Sequence, residues 1–162
     1  MSKPAGIGAG AKKSGAPKIG SRSLSREYAL RALYAQLLTG DDPTSTAANV
    51  REDADFAKAN AGYFEVLFHG VLKEIADLEL KLTPHLDRAV GELSPIERGI
   101  LLIGAHELAN CPDVPYRVAI NEAVELAKKY GGTDGHKFVN GVLDKLAKLM
   151  RPEEVPALSV RK

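Results

Sequence analysis

Apolar residues recur every three or four positions through most of the chain, and this spacing constrains the fold more than any other feature of the sequence. The first such stripe comprises Leu30, Leu33, Tyr34, Leu37 and Leu38. A second, longer stripe comprises Phe64, Leu67, Phe68, Val71, Leu72, Ile75, Leu78 and Leu82. No segment of useful length alternates apolar and polar residues as a half-buried strand does. The pattern therefore predicts an all-α helical bundle.

Two clusters of helix-breaking residues lie near 40–43 and 84–94, and the second separates the two predicted halves. Gly40 ends the first helix, and a shorter helix follows Pro43. Pro84 closes the long amphipathic run, and a short helix or turn comes after it. These breaks suggest two subdomains of the three-helix type.

The second half of the chain carries the clearest helix signals. In residues 94–97, Ser-Pro-Ile-Glu, the serine can cap, the proline suits the first helical position and the glutamate completes a capping box. Pro115 restarts the chain after a break, and Gly131 ends the helix that follows. Thr133 or Asp134 then caps a last helix. The predicted apolar face of that helix comprises Phe138, Val142, Leu146 and Leu149.

The predicted folded part covers residues 21–151, with one helical half at about 21–83 and the other at about 84–151. Residues 1–20 are rich in Gly, Ala, Lys and Pro, a composition typical of a disordered basic tail. Residues 152–162 are expected to form a flexible C-terminal tail.

The formal net charge of +1 is unevenly distributed, since residues 1–34 carry +6 and the remainder carries −5. A basic arm on a mildly acidic body suggests a polyanion as the partner of one end and a different partner for the rest. Basic, glycine-rich N-termini also occur as solubilising tails, so charge alone leaves both interpretations open.

The residues do not support an enzyme or a metal site. His106–Asn110, His-Glu-Leu-Ala-Asn, lacks the second histidine of the zinc motif H-E-x-x-H. The single cysteine, Cys111, precludes both an internal disulfide and a cysteine-rich zinc site, and no nucleophile motif surrounds it. We therefore expect no catalytic residue, metal or cofactor. No run of about eighteen apolar residues is present for a membrane span, and we expect a cytoplasmic protein without a membrane partner.

One long segment is similar to a known family. Residues 113–146, DVPYRVAINEAVELAKKYGGTDGHKFVNGVLDKL, resemble the C-terminal signature of the NusB family of bacterial transcription antitermination factors. The first helix, SREYALRALYAQ, resembles the opening helix of that family, with its Ala-Leu-Tyr triplet at residues 32–34. The similarity runs from about Ser21 to Arg151.

The resemblance implies two three-helix bundles without enzymatic activity. It further implies binding to single-stranded boxA RNA in nascent transcripts, above all those of ribosomal RNA operons. The family does so jointly with NusE, which is also a small-subunit ribosomal protein. With the other Nus factors, the pair helps the transcribing RNA polymerase complex to pass terminators.

Candidate RNA-binding residues come from the basic arm and from the resemblance. Arg22 and Arg26 are spaced to project from one helix face, with Lys18 one turn earlier if the helix extends that far. Cations in such a row can contact phosphates, although Arg26 could also be a plain surface charge. Positions that match RNA-facing positions of the family are Tyr34, Lys137 and Phe138. For Tyr34 and Phe138 the alternative is core packing, since both lie on or near apolar stripes.

Glu97 matches a family position on the side that faces NusE, yet it also completes the predicted capping box. The sequence leaves both roles open. It also leaves open an alternative function, that of a homodimeric or protein-binding helical module without specific RNA recognition.

Overall fold

The structure is a computed structural model that describes residues 20–155. Within that range the prediction of an all-α bundle is confirmed, and the only β-type contact is an isolated bridge between Ser21 and Ala59. The helices are α1 (Arg22–Thr39), α2 (Pro43–Arg51), α3 (Ala61–Lys73), α4 (Ile75–Leu82), α5 (Pro95–Asn110), α6 (Tyr116–Tyr130) and α7 (Gly135–Met150). Short 3₁₀ turns lie at Ala54–Lys58, Thr83–His85 and Val90–Glu92.

Local capping explains why α1 and α5 begin where they do. Ser21 Oγ accepts a hydrogen bond from the Leu24 N–H at 3.0 Å, which satisfies one of the free amides at the start of α1. Ser94 Oγ accepts one from the Glu97 N–H at 3.1 Å, with Pro95 at the first helical position as predicted. Both starts depend on neighbouring residues, and the sequence predicted the cap at Ser94.

The long apolar run at 64–82 forms two helices rather than one. Glu74 adopts φ −118° and ψ 23°, which interrupts the helix between α3 and α4. The apolar stripe continues across this bend, since Val71, Leu78 and Leu82 are all buried. The first half of the chain thus contains four α-helices where three were predicted. The sequence showed a single run because the buried residues keep their helical spacing on both sides of the interruption.

Helix α5 is the centre of the bundle and packs against α1, α3, α4, α6 and α7. Its residues Ile100, Leu101, Leu102 and Ile103 are at most 1% exposed, and this full burial accounts for apolar residues on several of its faces. Gly104 allows the close approach of α7, because a Cβ atom there would lie 2.6 Å from Leu143 Cδ1.

The described chain is packed up to Val155, four residues beyond the predicted end of the folded part. Val155 is buried. The Glu154 carboxylate accepts a hydrogen bond from the Tyr116 N–H at 3.0 Å, which satisfies a free amide at the start of α6. The Arg151 guanidinium donates to the backbone carbonyls of Leu108 and Val114. The rest of the predicted C-terminal tail and nearly all of the predicted N-terminal tail lie outside the described residues.

Three predicted members of apolar stripes are exposed, Tyr34 within α1 and two leucines at helix ends. Leu38 near the end of α1 is 57% exposed and Leu149 near the end of α7 is 64% exposed. Both lie in the last turn of their helices, so the periodicity extends beyond the part of each helix that its neighbours cover.

Candidate nucleic-acid interface

The polar segment at 131–141 contains the junction between α6 and α7, as predicted, and continues into the first turns of α7. Gly131 ends α6, and its N–H donates to the Ala127 carbonyl at 2.8 Å. Asp134 occupies the N-cap position of α7 with the left-handed φ of 63°, but its side chain does not cap the helix. Instead its carboxylate lies 3.4 Å from Lys137 Nζ. The predicted position of this cap is confirmed, while the predicted capping contact of the Asp134 side chain is absent.

The junction lies against the start of α5. A Cβ atom on Gly135 would be 3.1 Å from Glu97 Oε2, so the first turns of α5 and α7 touch. The Arg88 guanidinium lies 4.8 Å from the centroid of the Phe138 ring, which is half-buried. Lys137 is exposed beside them. The fold thus brings Lys137, Phe138 and Glu97 to one corner of the molecule and adds Arg88, which the sequence had not indicated.

Tyr34 faces the same region from α1. Its side chain is 39% exposed, so core packing does not account for it. A slot of about 120 Å³ lies beside it, and its walls include Ile96 at the start of α5 and Tyr130 at the end of α6. Since Tyr130 directly precedes the 131–141 junction, Tyr34 and the junction belong to one continuous surface.

Arg26 does not project into solvent beside Arg22 as predicted. It is 3% exposed, and its Nε lies 2.9 and 3.0 Å from the two carboxylate oxygens of Glu107. Burial lowers the pKa of Arg26, but the hydrogen bond and charge of Glu107 outweigh burial and raise it overall. The Tyr63 hydroxyl donates to the same carboxylate, and burial beside Glu107 raises the pKa of Tyr63. This enclosure is inconsistent with direct phosphate contact by Arg26.

Arg22 remains at the surface at the start of α1. Its side chain is 42% exposed, and Nη1 lies 3.2 Å from Asp113 Oδ2. Its guanidinium also lies 4.1 Å from the centroid of the Tyr63 ring, a cation–π contact that fixes its position. Helical rise places Arg22 about 18 Å from Tyr34 along α1. The predicted contact at Lys18 lies outside the described residues.

A groove between α1 and α6 lies along the part of α1 between Arg22 and Tyr34. It has a volume of about 350 Å³ and is lined by Ser23, Glu27, Glu122, Glu125, Leu126, Lys128 and Lys129. Glu27 also lines the slot beside Tyr34, so groove and slot lie next to each other. Sequence reasoning missed Lys129 and Tyr130. Their position in the last turn of α6, directly before the conspicuous junction, was the available signal.

Other kinds of site find little support in residues 20–155. In this range no group of three His, Cys, Asp or Glu side chains is arranged to hold a metal ion. Cys111 is buried, and burial raises the pKa of its thiol, which disfavours the reactive thiolate. None of the helices in the described range has the length and apolar character needed to cross a membrane.

Fold and surface together define a class of protein. The described chain is a small all-α protein in which the exposed tyrosines Tyr34 and Tyr130 and the exposed cations Lys129 and Lys137 lie on one face, and proteins that bind single-stranded nucleic acid combine such groups. The sequence model of the NusB family matches residues 23–148. The chain belongs to the NusB family.

Individual relatives agree with this assignment. The transcription antitermination protein NusB of Thiobacillus denitrificans is 60% identical over 136 residues, which cover 84% of this chain and 94% of the relative. The corresponding protein of Ralstonia nicotianae is 51% identical over 142 residues, which cover 88% of this chain and 92% of that relative.

Solved structures show the same fold. NusB of T. maritima superimposes with a TM-score of 0.71 at 26% identity, over 87% of this chain and 97% of the other. A crystal structure of the antitermination factors NusB and NusE in complex with dsRNA gives a TM-score of 0.73 at 28% identity, over 79% of this chain and 96% of the other.

Proposed function

We propose that this chain is a transcription antitermination factor that binds single-stranded boxA RNA in nascent ribosomal RNA transcripts jointly with NusE. With other Nus factors it helps the transcribing RNA polymerase complex pass terminators. It acts in the cytoplasm by binding alone and catalyses no reaction. The observation that carries this proposal is the membership of the NusB family, whose relatives with 51% and 60% identity are transcription antitermination proteins.

The RNA lies across the face formed by α1, the end of α6 and the start of α7. Arg22 and Lys137 contact phosphates, because both are at least partly exposed cations that only single surface carboxylates neutralise. Tyr34 and Phe138 offer ring faces to unstacked bases. Lys18 extends the phosphate contacts from the arm.

Arg26 has a different role in this proposal. Its guanidinium is held by Glu107 on α5, so it fixes the start of α1 and thereby the position of Arg22. Direct phosphate contact would require the buried Glu107 carboxylate to lose its partner, which is costly.

Of the two roles that the sequence left open for Glu97, its side chain does not take the one in the capping box. The N-cap uses only its backbone N–H, which donates to Ser94 Oγ. Within residues 20–155 its carboxylate accepts no hydrogen bond of its own, so the reciprocal half of the capping box is not formed. The carboxylate is therefore available to a basic partner, and we assign it to NusE.

A gel-shift experiment tests the proposal. Labelled boxA RNA and a scrambled RNA of equal length are each titrated with this protein, with and without purified NusE. We expect a shift of boxA at lower protein concentration than the scramble, enhanced by NusE. Equal shifts for both RNAs, unaffected by NusE, would instead indicate a protein-binding or homodimeric helical module.

A further inference from the structure

The slot beside Tyr34 is the most enclosed feature of the α1 and α6 face. Its lining residues are Glu27, Leu30, Arg31, Tyr34, Ile96 and Tyr130. Leu30 is buried and Ile96 is partly buried, so both supply apolar surface. Tyr34 and Tyr130 are 39% and 40% exposed, so their rings are accessible to a ligand. The slot therefore combines apolar surface, two aromatic side chains and a charged rim.

The size of the slot limits what it can hold. Its volume of about 120 Å³ corresponds to about four water molecules at roughly 30 Å³ each. Pockets for drug-sized ligands begin at about 300 Å³, well above this value. A single planar ring system is the ligand that matches both the volume and the aromatic walls.

Glu27 gives the slot its hydrogen-bonding character. Its Oε1 accepts from the Tyr130 hydroxyl at 2.6 Å and from Lys129 Nζ at 3.0 Å. Oε2 accepts no hydrogen bond from residues 20–155. Partial burial raises the pKa of Glu27, but the hydrogen bonds from Tyr130 and Lys129 outweigh it and lower the pKa below its usual range. The carboxylate is therefore ionised at neutral pH and acts only as an acceptor.

A nucleobase satisfies these requirements better than other small rings. Bases expose hydrogen-bonding edges and stack on tyrosine rings when RNA is single-stranded. A carboxylate accepts from an exocyclic amino group, as in its pairing with the N4 amine of cytosine. Uracil has a carbonyl oxygen where cytosine has its exocyclic amine and keeps a single ring N–H donor, so a carboxylate placed against the exocyclic group would face an acceptor. Arg31 at the rim pairs with Asp53 at 2.9 Å, and because its side chain is 52% exposed it can also meet the adjoining phosphate.

We infer that this slot is a nucleobase pocket in which Glu27 selects a base with an exocyclic amino group, such as cytosine, adenine or guanine, against uracil. The inference rests on the proposed function, because it assumes that RNA crosses this face. It goes further in assigning sequence discrimination to Glu27, Tyr130 and Ile96. Arg22 and Lys137, which contact phosphates in the proposal, would carry no such discrimination.

The test uses anisotropy titrations with labelled boxA RNA and with variants in which each cytosine, adenine or guanine is replaced singly by uracil. For the unmodified protein we expect one position at which uracil weakens binding about tenfold, equivalent to about 1.4 kcal/mol. In Glu27→Gln this penalty should vanish or reverse, because the amide can donate to a uracil carbonyl. Its carbonyl oxygen can still accept from Tyr130 and Lys129, so the local contacts survive.

Glu125→Gln is the matched control. Glu125 lines the neighbouring groove but not the slot, so this variant makes the same change of charge without touching the base edge. It should leave the discrimination at every position unchanged. Circular dichroism and thermal unfolding of both variants verify that each is folded.

Two results would overturn the inference. In the first, Glu27→Gln and Glu125→Gln change the affinity for every RNA by the same factor, which would mean that Glu27 acts only as a general negative charge. In the second, Glu27→Gln weakens NusE binding and leaves base discrimination intact, which would mean that the slot binds a side chain of the protein partner. In either case the proposed function is still supported if the unmodified protein binds boxA more tightly than the scrambled RNA. Loss of that preference is the separate sign that the proposed function has failed.

Discussion

Arg26 and Glu107 form a buried ion pair between α1 and α5, with Arg26 Nη2 2.8 Å from Glu107 Oε2 and side chains only 4% and 1% exposed. A second carboxylate, Glu122 of α6, lies 3.3 Å from Nη1. The pair thus ties three helices together at the start of α1. The sequence predicted Arg26 as an RNA contact, whereas in the structure it holds the start of α1 against α5 and α6.

Arg26→Ala should destabilise the protein by about 3–5 kcal/mol, because it leaves the Glu107 carboxylate buried without its cation. Urea unfolding followed by circular dichroism measures the loss. Replacing the pair together, as Arg26→Met with Glu107→Leu, should recover part of it, since no charge then remains buried unpaired while the buried Tyr63 hydroxyl loses its acceptor. Unchanged stability in Arg26→Ala, combined with weaker RNA binding, would mean that Arg26 contacts phosphate after all.

Arg22→Ala should weaken binding to boxA and to control RNAs by similar factors, because a phosphate contact carries no sequence information. The log–log dependence of affinity on salt should become shallower by about 0.7, the value for one phosphate contact on a single strand. Arg51→Ala is the control, since Arg51 lies on α2 and pairs with Glu65 away from the proposed surface. If the salt dependence is unchanged in Arg22→Ala, the Arg22 guanidinium contacts only Asp113 and Tyr63 and does not bind a phosphate.

Lys137→Ala should weaken boxA binding in the joint complex with NusE and leave the helical spectrum intact. Its side chain is 73% exposed, so the substitution removes a charge without opening a cavity. Lys148→Ala, an exposed lysine near the other end of α7, should leave the affinity almost unchanged. Equal effects of the two substitutions would indicate general electrostatic attraction instead of a defined contact.

Gly104→Ala should destabilise the protein by about 1–3 kcal/mol through overpacking, since its Cβ atom would lie 2.6 Å from Leu143 Cδ1. Gly141→Ala on α7 is the matched control, because nothing lies within 4 Å of its added Cβ atom. That substitution should stabilise the exposed helix by about 0.5–1 kcal/mol. Thermal unfolding distinguishes the two signs, and equal shifts would show that α5 and α7 are not closely packed at this point.

The sequence predicts the helices well because their starts and ends depend on adjacent residues. Ser21, Ser94 and Gly131 act within a few positions of themselves, and the structure places all three at helix ends. The break at Glu74 was missed because no proline or glycine marks it. The break lies where the apolar stripe passes from packing on α1 and α5 to packing on α5 and α7. This change of partner depends on the tertiary structure.

The burial of Arg26 could not be predicted in the same way. Its partner Glu107 lies 81 residues further along the chain, and no local pattern links the two. The slot likewise combines residues from α1, α5 and α6 that periodicity treats separately. Tyr34, Lys137 and Phe138 were found from the family resemblance, and the structure adds that they lie on neighbouring elements of one surface.

The most direct test of the account is a linkage titration of RNA and NusE on this protein. The affinity for labelled boxA RNA is measured at increasing NusE concentration, and the affinity for NusE is measured with and without boxA. If both partners bind adjoining surfaces, NusE should tighten RNA binding by about 5- to 150-fold, and RNA should tighten NusE binding by the same factor. A scrambled RNA should show neither effect. An RNA affinity that is indifferent to NusE, or equal for boxA and the scramble, would contradict the antitermination account.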